Sequence, residues 1–119
     1  GFCAAGVTCA QTLRQLGFSG RIVAISKEGV LPYDRPKLSK SMTIEASKIL
    51  MRPEKFFTDN KIDVLLNTTV EELDPDAKTI KLSSGSTIQY DACLVATGGT
   101  YVSCSNVLTF DIYLFYFYF

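Results

Sequence analysis

Gly1-Phe2-Cys3-Ala4-Ala5-Gly6 leads into Val7-Thr8-Cys9-Ala10-Gln11-Thr12-Leu13-Arg14-Gln15-Leu16-Gly17, and four residues later comes Arg21-Ile22-Val23-Ala24-Ile25. Val7, Ala10, Leu13 and Leu16 recur at helical spacing, and Gly17 is a good helix stop. Arg21–Ile25 is short, β-branched and apolar at successive positions, so both its faces ask for burial, as in a parallel strand. A glycine turn, a helix and such a strand at this connection length read as the closing part of a βαβ unit. The strand that would open the unit is not in the sequence. The fold class expected is therefore α/β, a partial Rossmann-like domain whose parallel sheet lacks its first strand. Losing a central strand would leave backbone groups of its neighbours unpaired along two edges, a threat to independent folding.

Further along, Pro53 suits a first helical position with Glu54 beside it, and Phe56-Phe57 supply an apolar face. Ile62–Leu66 is the next strand. Thr69–Leu73, Thr79–Leu82 and Thr87–Tyr90 then alternate in short segments, with Asp74-Pro75-Asp76 and Ser83-Ser84-Gly85 as turns between them. They form an antiparallel β-meander inserted into the α/β unit. Asp91–Ala96 returns as a buried strand that runs into Thr97-Gly98-Gly99. The character changes after Tyr101. Residues 106–119 read NVLTFDIYLFYFYF, with seven aromatics and one charge. That is too short for a membrane-spanning helix, which needs about 20 residues. Its β-propensity and near-absence of charge make it an aggregation hazard. The chain divides at this point into residues 1–99, the α/β part, and residues 100–119, a divergent apolar aromatic tail.

The 119 residues allow one domain. Twelve basic and twelve acidic side chains balance to zero, without a basic cluster, which argues against nucleic acid or an anionic membrane as partner. Cys3, Cys9, Cys93 and Cys104 contain no C-x-x-C pair, so neither a dithiol redox centre nor a zinc spacing is present. With no histidine, Ser-His and Cys-His catalysis are excluded. No leader pattern is visible, and the cysteine pattern suits a reducing compartment. A chain so poor in acid–base and nucleophilic groups points to chemistry carried by a cofactor.

Gly1–Gly6 fits G-x-G-x-x-G at its first and third glycines, with Cys3 at the second, where backbone should approach a pyrophosphate. Taken alone, the hexapeptide reads equally well as a small-residue turn before a helix. Glu28 follows Gly6 by 22 residues, just past a strand, near the ~20 expected for an acid that holds a ribose. A surface glutamate would look the same. Leu31-Pro32-Tyr33-Asp34-Arg35-Pro36-Lys37-Leu38-Ser39-Lys40 is the most distinctive stretch, a proline-stiffened loop carrying several cations.

Gly1–Gly6, LPYDRPKLSK and Leu94-Val95-Ala96-Thr97-Gly98-Gly99 together resemble, in order and spacing over residues 1–99, the N-terminal part of the FAD domain of the pyridine nucleotide-disulfide oxidoreductase superfamily. The resemblance is greatest to the branch of ferredoxin reductases and apoptosis-inducing-factor-like proteins, particularly Rieske-bearing ones. It implies FAD as cofactor, with NAD(P)H as co-substrate of the complete enzyme. Gly1, Ala5 and Gly6 would form the phosphate turn, and Glu28 would hold the adenosine ribose. Arg35 would sit over the adenine and phosphate side. Lys40 would point to the flavin, where a fixed positive charge favours the reduced, anionic ring. Val70 matches a position whose backbone contacts adenine. Thr97 and Gly98 match a turn that passes close to the cofactor.

By this resemblance the parent activity is hydride transfer from NAD(P)H to FAD, then electron transfer to an iron–sulfur or similar acceptor, in mitochondrion or cytoplasm. The family pattern ends after Gly99, and no nicotinamide site follows, so the expectation for residues 1–119 alone is little or no turnover. The alternative is a non-catalytic half-domain that binds nucleotide weakly or not at all and associates through its aromatic tail. A generic NAD-binding Rossmann protein would have no use for the Leu31–Lys40 loop.

Overall fold

A computed structural model describes residue 2, residues 4–41 and 43–99, and the backbone strand 114–117. Helix α1 spans Ala4–Gln15 and strand β1 Ile22–Ile25. Two 3-10 helices follow, Arg35–Lys40 and Ala46–Ile49, then helix α2 over Glu54–Asp59. The remaining strands are β2 (Ile62–Leu65), β3 (Val70–Asp74), β4 (Thr79–Leu82), β5 (Thr87–Gln89), β6 (Ala92–Val95) and β7 (Leu114–Phe117).

The strands form two sheets, one in the order β2-β1-β7-β6 and the other a meander β3-β4-β5. All four residues of β1 are buried, as a strand without a polar face requires. Ile22 and Ala24 pack with Val7 and Ala10 of α1, with Phe57 of α2 and with Ile62. Val23 and Ile25 turn to the opposite side and meet Val70, Ile80, Leu82 and Tyr90 of the meander. Alternation along one four-residue strand thus builds three layers: helices, the four-stranded sheet and the meander. Ile22, Ile25 and Ile80 are fully enclosed, each adding about 1.5–3 kcal/mol of hydrophobic stabilisation.

Local chemistry sets the element ends. Gly17 ends α1 in the left-handed region, at φ +87°. In the turn after β3, the Asp74 carboxylate accepts hydrogen bonds from the Asp76 and Ala77 N–H groups, both at 2.9 Å, which makes the turn that Asp74-Pro75-Asp76 predicts. Pro53 sits one position earlier than its sequence suggests. It is the N-cap of α2, at φ −65° and ψ 155°, and Glu54 is the first helical residue. Proline's fixed φ serves either position, so ψ decides.

The mixed α/β class, with a parallel β1–β2 pair and an antiparallel meander, is as the sequence predicts. Two details differ. Asp91–Ala96, expected as a buried strand, is half-buried, with Val95 54% exposed. The cause is that β6 lies at the edge of its sheet. The two edges expected to stand unpaired are joined, because β7 pairs antiparallel with both β1 and β6. Phe117, Tyr116 and Phe115 stand opposite Ile22, Val23 and Ala24 on one side and opposite Ala92, Cys93 and Leu94 on the other.

Candidate functional site

Strands β1 and β6 are both antiparallel to β7, hence parallel to each other and level in register. Their C-terminal ends therefore open on the same side. Glu28 follows the end of β1, and Thr97-Gly98 follow the end of β6. Helix α1 runs back to the N-terminal end of β1, so its own N-terminus, with Ala5 and Gly6, lies on that same side. Ligands of open α/β sheets bind at this end of the strands.

The corner carrying Glu28 is tightly built. The Ser26 N–H donates to the Leu65 carbonyl at 2.8 Å, and the Ser26 carbonyl accepts from the Thr68 N–H at 2.9 Å. The buried Ser26 hydroxyl accepts from the Glu28 N–H at 3.2 Å. The Glu28 carbonyl accepts from the Asn67 N–H at 3.2 Å. Asn67 sits at φ +51°, a left-handed conformation that asparagine tolerates. Its side chain crowds Gly29, where an added Cβ would lie 2.7 Å from Asn67 Oδ1. The main chain around Glu28 is thereby fixed while its carboxylate stays reachable, at 30% exposure.

The Leu31–Lys40 loop is pinned by a short bridge to the segment after the second 3-10 helix. The Asp34 N–H donates to the Ile49 carbonyl at 2.9 Å, and the Met51 N–H donates to the Pro32 carbonyl at 2.8 Å. Pro36 sits in the first turn of the 3-10 helix, where its missing N–H costs nothing. The helix begins with Arg35, whose Nη2 donates to Glu28 Oε1 and whose guanidinium lies 5.3 Å from the centre of the Tyr33 ring. Lys37 pairs with Asp34 at 3.2 Å. Lys40 closes the helix, exposed and about 10 Å from Arg35 at 3-10 rise.

Of the residues singled out in the sequence, the structure brings Glu28 and Arg35 into contact. Ala5 is exposed and Gly6 buried at the start of α1. Gly98, next to Thr97 past the end of β6, is exposed and sits at φ +69°. The Val70 side chain is buried between the sheets, among Val23, Ile25, Ile80 and Leu82. Gly1 lies outside the described residues, as does Cys3. Sequence reasoning missed Ser26, Gly29, Tyr33 and Asn67. Their signals were a serine directly after an all-apolar strand, a glycine beside Glu28, an aromatic two residues before Arg35, and an asparagine just past the next strand.

Two other features have structural roles. A recess of about 280 Å³, lined by Arg14, Phe18, Ser19, Asp59, Asn60 and Lys61, lies by the N-terminal ends of β1 and β2. Arg14 there donates to the carbonyls of Asn60, Phe18, Gly20 and Lys61 at 2.6–3.0 Å. Cys9 and Cys93 are free thiols. Burial raises the pKa of both, Cys93 to about 11, so neither is an activated nucleophile.

The family of pyridine nucleotide-disulphide oxidoreductases matches residues 1–113, a span that continues past Gly99. Human apoptosis-inducing factor 3 is 42% identical over 97 residues, covering 82% of this chain and 16% of that protein. The rubredoxin-NAD(+) reductase of Pseudomonas putida is 40% identical over 99 residues, covering 81% and 26%. Among solved structures, the covalent putidaredoxin reductase–putidaredoxin complex superposes with a TM-score of 0.70 at 30% identity, covering 76% of this chain and 22% of that one. The chain thus spans roughly a sixth to a quarter of the length of these relatives. It belongs to the pyridine nucleotide-disulphide oxidoreductase family, whose members are FAD-dependent enzymes that use NAD(P)H.

Proposed function

We propose that this chain is the FAD-binding part of an NAD(P)H-dependent flavin oxidoreductase. The observation that carries the reading is the contact of Glu28 with Arg35 at the C-terminal end of the sheet, the end at which β6 leads into Thr97-Gly98. The donor set fits a dinucleotide. A carboxylate that accepts from a guanidinium can accept from the two hydroxyls of a ribose. An arginine freed from that carboxylate can pair with a phosphate. Opening the Glu28–Arg35 pair is the step that binding requires. An exposed, left-handed Gly98 leaves room for close backbone approach. Ala5 and Gly6 place a helix N-terminus, without bulky side chains, where a pyrophosphate is favoured. The main chain at Val70 is offered to adenine.

Bound FAD would supply acceptance of hydride from NAD(P)H and onward transfer of electrons to an acceptor. Lys40, held apart from Arg35 by the 3-10 helix, would set a positive charge beside the flavin ring. The acceptor would be a small electron-carrier protein with an iron–sulfur or similar centre, in keeping with relatives named for rubredoxin and putidaredoxin. Free Cys9 and Cys93 fit a reducing compartment, mitochondrion or cytoplasm. Residues 1–119 by themselves are expected to bind FAD without steady NAD(P)H oxidation.

A second reading, a non-catalytic half-domain that associates through its aromatic tail, finds one point against it. Both edges of β7 are already taken, by β1 and β6. Titration of the chain with FAD, followed by quenching of flavin fluorescence, separates the readings. Micromolar or tighter binding that weakens in Arg35→Ala and Lys40→Ala supports the first. Absence of binding by the folded chain would refute it and leave the second.

A further inference from the structure

The excursion from Tyr33 to Arg52 carries the loop cations, yet Ile49 is its one buried residue among those described. The 3-10 helix Arg35–Lys40 buries none of its side chains. With so little apolar contact, polar ties decide where Arg35 and Lys40 stand. These ties form a chain. Met51 and Ile49 are hydrogen-bonded to Pro32 and Asp34, so residues 49–51 act as a bracket for the loop. Arg52, the next residue, fastens the bracket to helix α1. Its Nε and Nη2 both donate to Gln11 Oε1, at 3.2 and 2.9 Å, and its Nη1 donates to the Met51 carbonyl at 2.7 Å. The guanidinium also lies 5.9 Å from the centre of the Phe56 ring in α2. Every nitrogen of this half-buried side chain is therefore engaged, and its partners come from two separate elements.

Gln11 lies on α1 five residues after Gly6, about 7.5 Å along the helix axis. The turn at Ala5-Gly6 and the loop cations thus stand at opposite ends of one line of contacts, with Arg52 at its middle. We propose that Arg52 is a positioning residue for the dinucleotide site, setting the separation between the Ala5-Gly6 turn and the pair Arg35 and Lys40. This inference rests on the reading of the site as an FAD site. A dinucleotide touches both pieces at once, and its affinity falls when one of them must be ordered on binding. Arginine suits the task. Two N–H groups of its planar fork meet a single amide oxygen while the third nitrogen holds the bracket, an arrangement that the lysine ammonium does not reproduce.

Amide hydrogen exchange without cofactor reads the joint itself. In Arg52→Ala and in Gln11→Ala, the Asp34 and Met51 amides should exchange about tenfold faster, with Ile22–Ile25 unchanged. Gln11→Ala keeps a strong helix former in α1, so it covers the case in which the arginine variant misfolds. Gln11→Glu, which keeps the acceptor, should match the parent. FAD titration reads the consequence: Arg52→Ala and Gln11→Ala should bind about fivefold more weakly. In a chain already carrying Arg35→Ala and Lys40→Ala, adding Arg52→Ala should weaken binding by no more than about twofold, because the cations it places are gone. Parent-like exchange at Asp34 and Met51 in both alanine variants would overturn the proposal. So would fast exchange that spreads to Ile22–Ile25, or a fivefold loss that persists without the two cations. If the parent chain binds no FAD, the functional reading falls, and exchange at Asp34 and Met51 alone decides whether Arg52 places the loop.

Discussion

The two ends of the four-stranded sheet each carry an arginine, and the two are used in opposite ways. At the N-terminal end of β1 and β2, half-buried Arg14 donates to four backbone carbonyls from the α1–β1 and α2–β2 connections. Its charge meets carbonyls of the two connections that follow these helices, a favourable placement for a cation near two helix C-termini. At the C-terminal end, Arg35 is 47% exposed and reaches Glu28 and the Tyr33 ring, both of which could release it. One end is closed by interactions that cannot be given up without loss of structure. The other holds the same chemical group in an interaction worth little to stability. The proposed binding groups stand where the fold does not depend on them.

This contrast sets the expected size of each perturbation. Arg14→Ala should have the largest effect, a loss of about 2–3 kcal/mol in urea unfolding as several partly buried carbonyls lose a charged donor. Its FAD affinity, measured under native conditions, should not change. A loss of affinity with unchanged stability would break the comparison. Arg35→Ala is the mirror case. FAD affinity should fall about tenfold or more, in line with loss of a charge-assisted hydrogen bond. Its stability should stay within about 0.5 kcal/mol of the parent. Gly29→Ala sharpens the account of the Glu28 corner. The new methyl group must push Asn67 Oδ1 aside, so a stability loss of about 1 kcal/mol is expected, with weaker FAD binding as Glu28 shifts.

The smallest effect concerns Cys93 in β6, midway between the ends. Burial raises its folded pKa to about 11 from 9.0, so the native state holds that proton over a range where the unfolded chain releases it. Stability should therefore fall as pH rises from 9 to 11, and Cys93→Ser should reduce that slope. An unchanged slope in the variant would mean that the thiol is not shielded by the meander.

Much of this frame is legible in the sequence because it is local. Arg21–Ile25 has no polar face, and burial on both sides follows directly. Asp74-Pro75-Asp76 specifies its turn through one carboxylate. Gly17 and Gly98 mark the left-handed positions that other residues rarely adopt. The features that escaped are those made by distant partners. Arg14 reads as a surface cation in the last turn of a helix, and nothing nearby in sequence points to the carbonyls of Asn60 and Lys61. The Leu31–Lys40 stretch announces a stiff loop, yet neither its 3-10 turn from Arg35 nor its bridge to Ile49 can be read from the prolines. Residues 114–117 look like a hazard in isolation. Their pairing with β1 and β6 depends on a gap that only the assembled sheet defines.

The central claim, that the C-terminal end of the sheet is the nucleotide site and the Arg14 end is structural, is tested most directly by amide NMR shifts during FAD titration. The account predicts movement at Glu28, Arg35, Val70, Thr97 and Gly98, and fixed signals at Phe18, Ser19, Asn60 and Lys61. Shifts centred on the Arg14 end, with Glu28 and Gly98 unmoved, would contradict it.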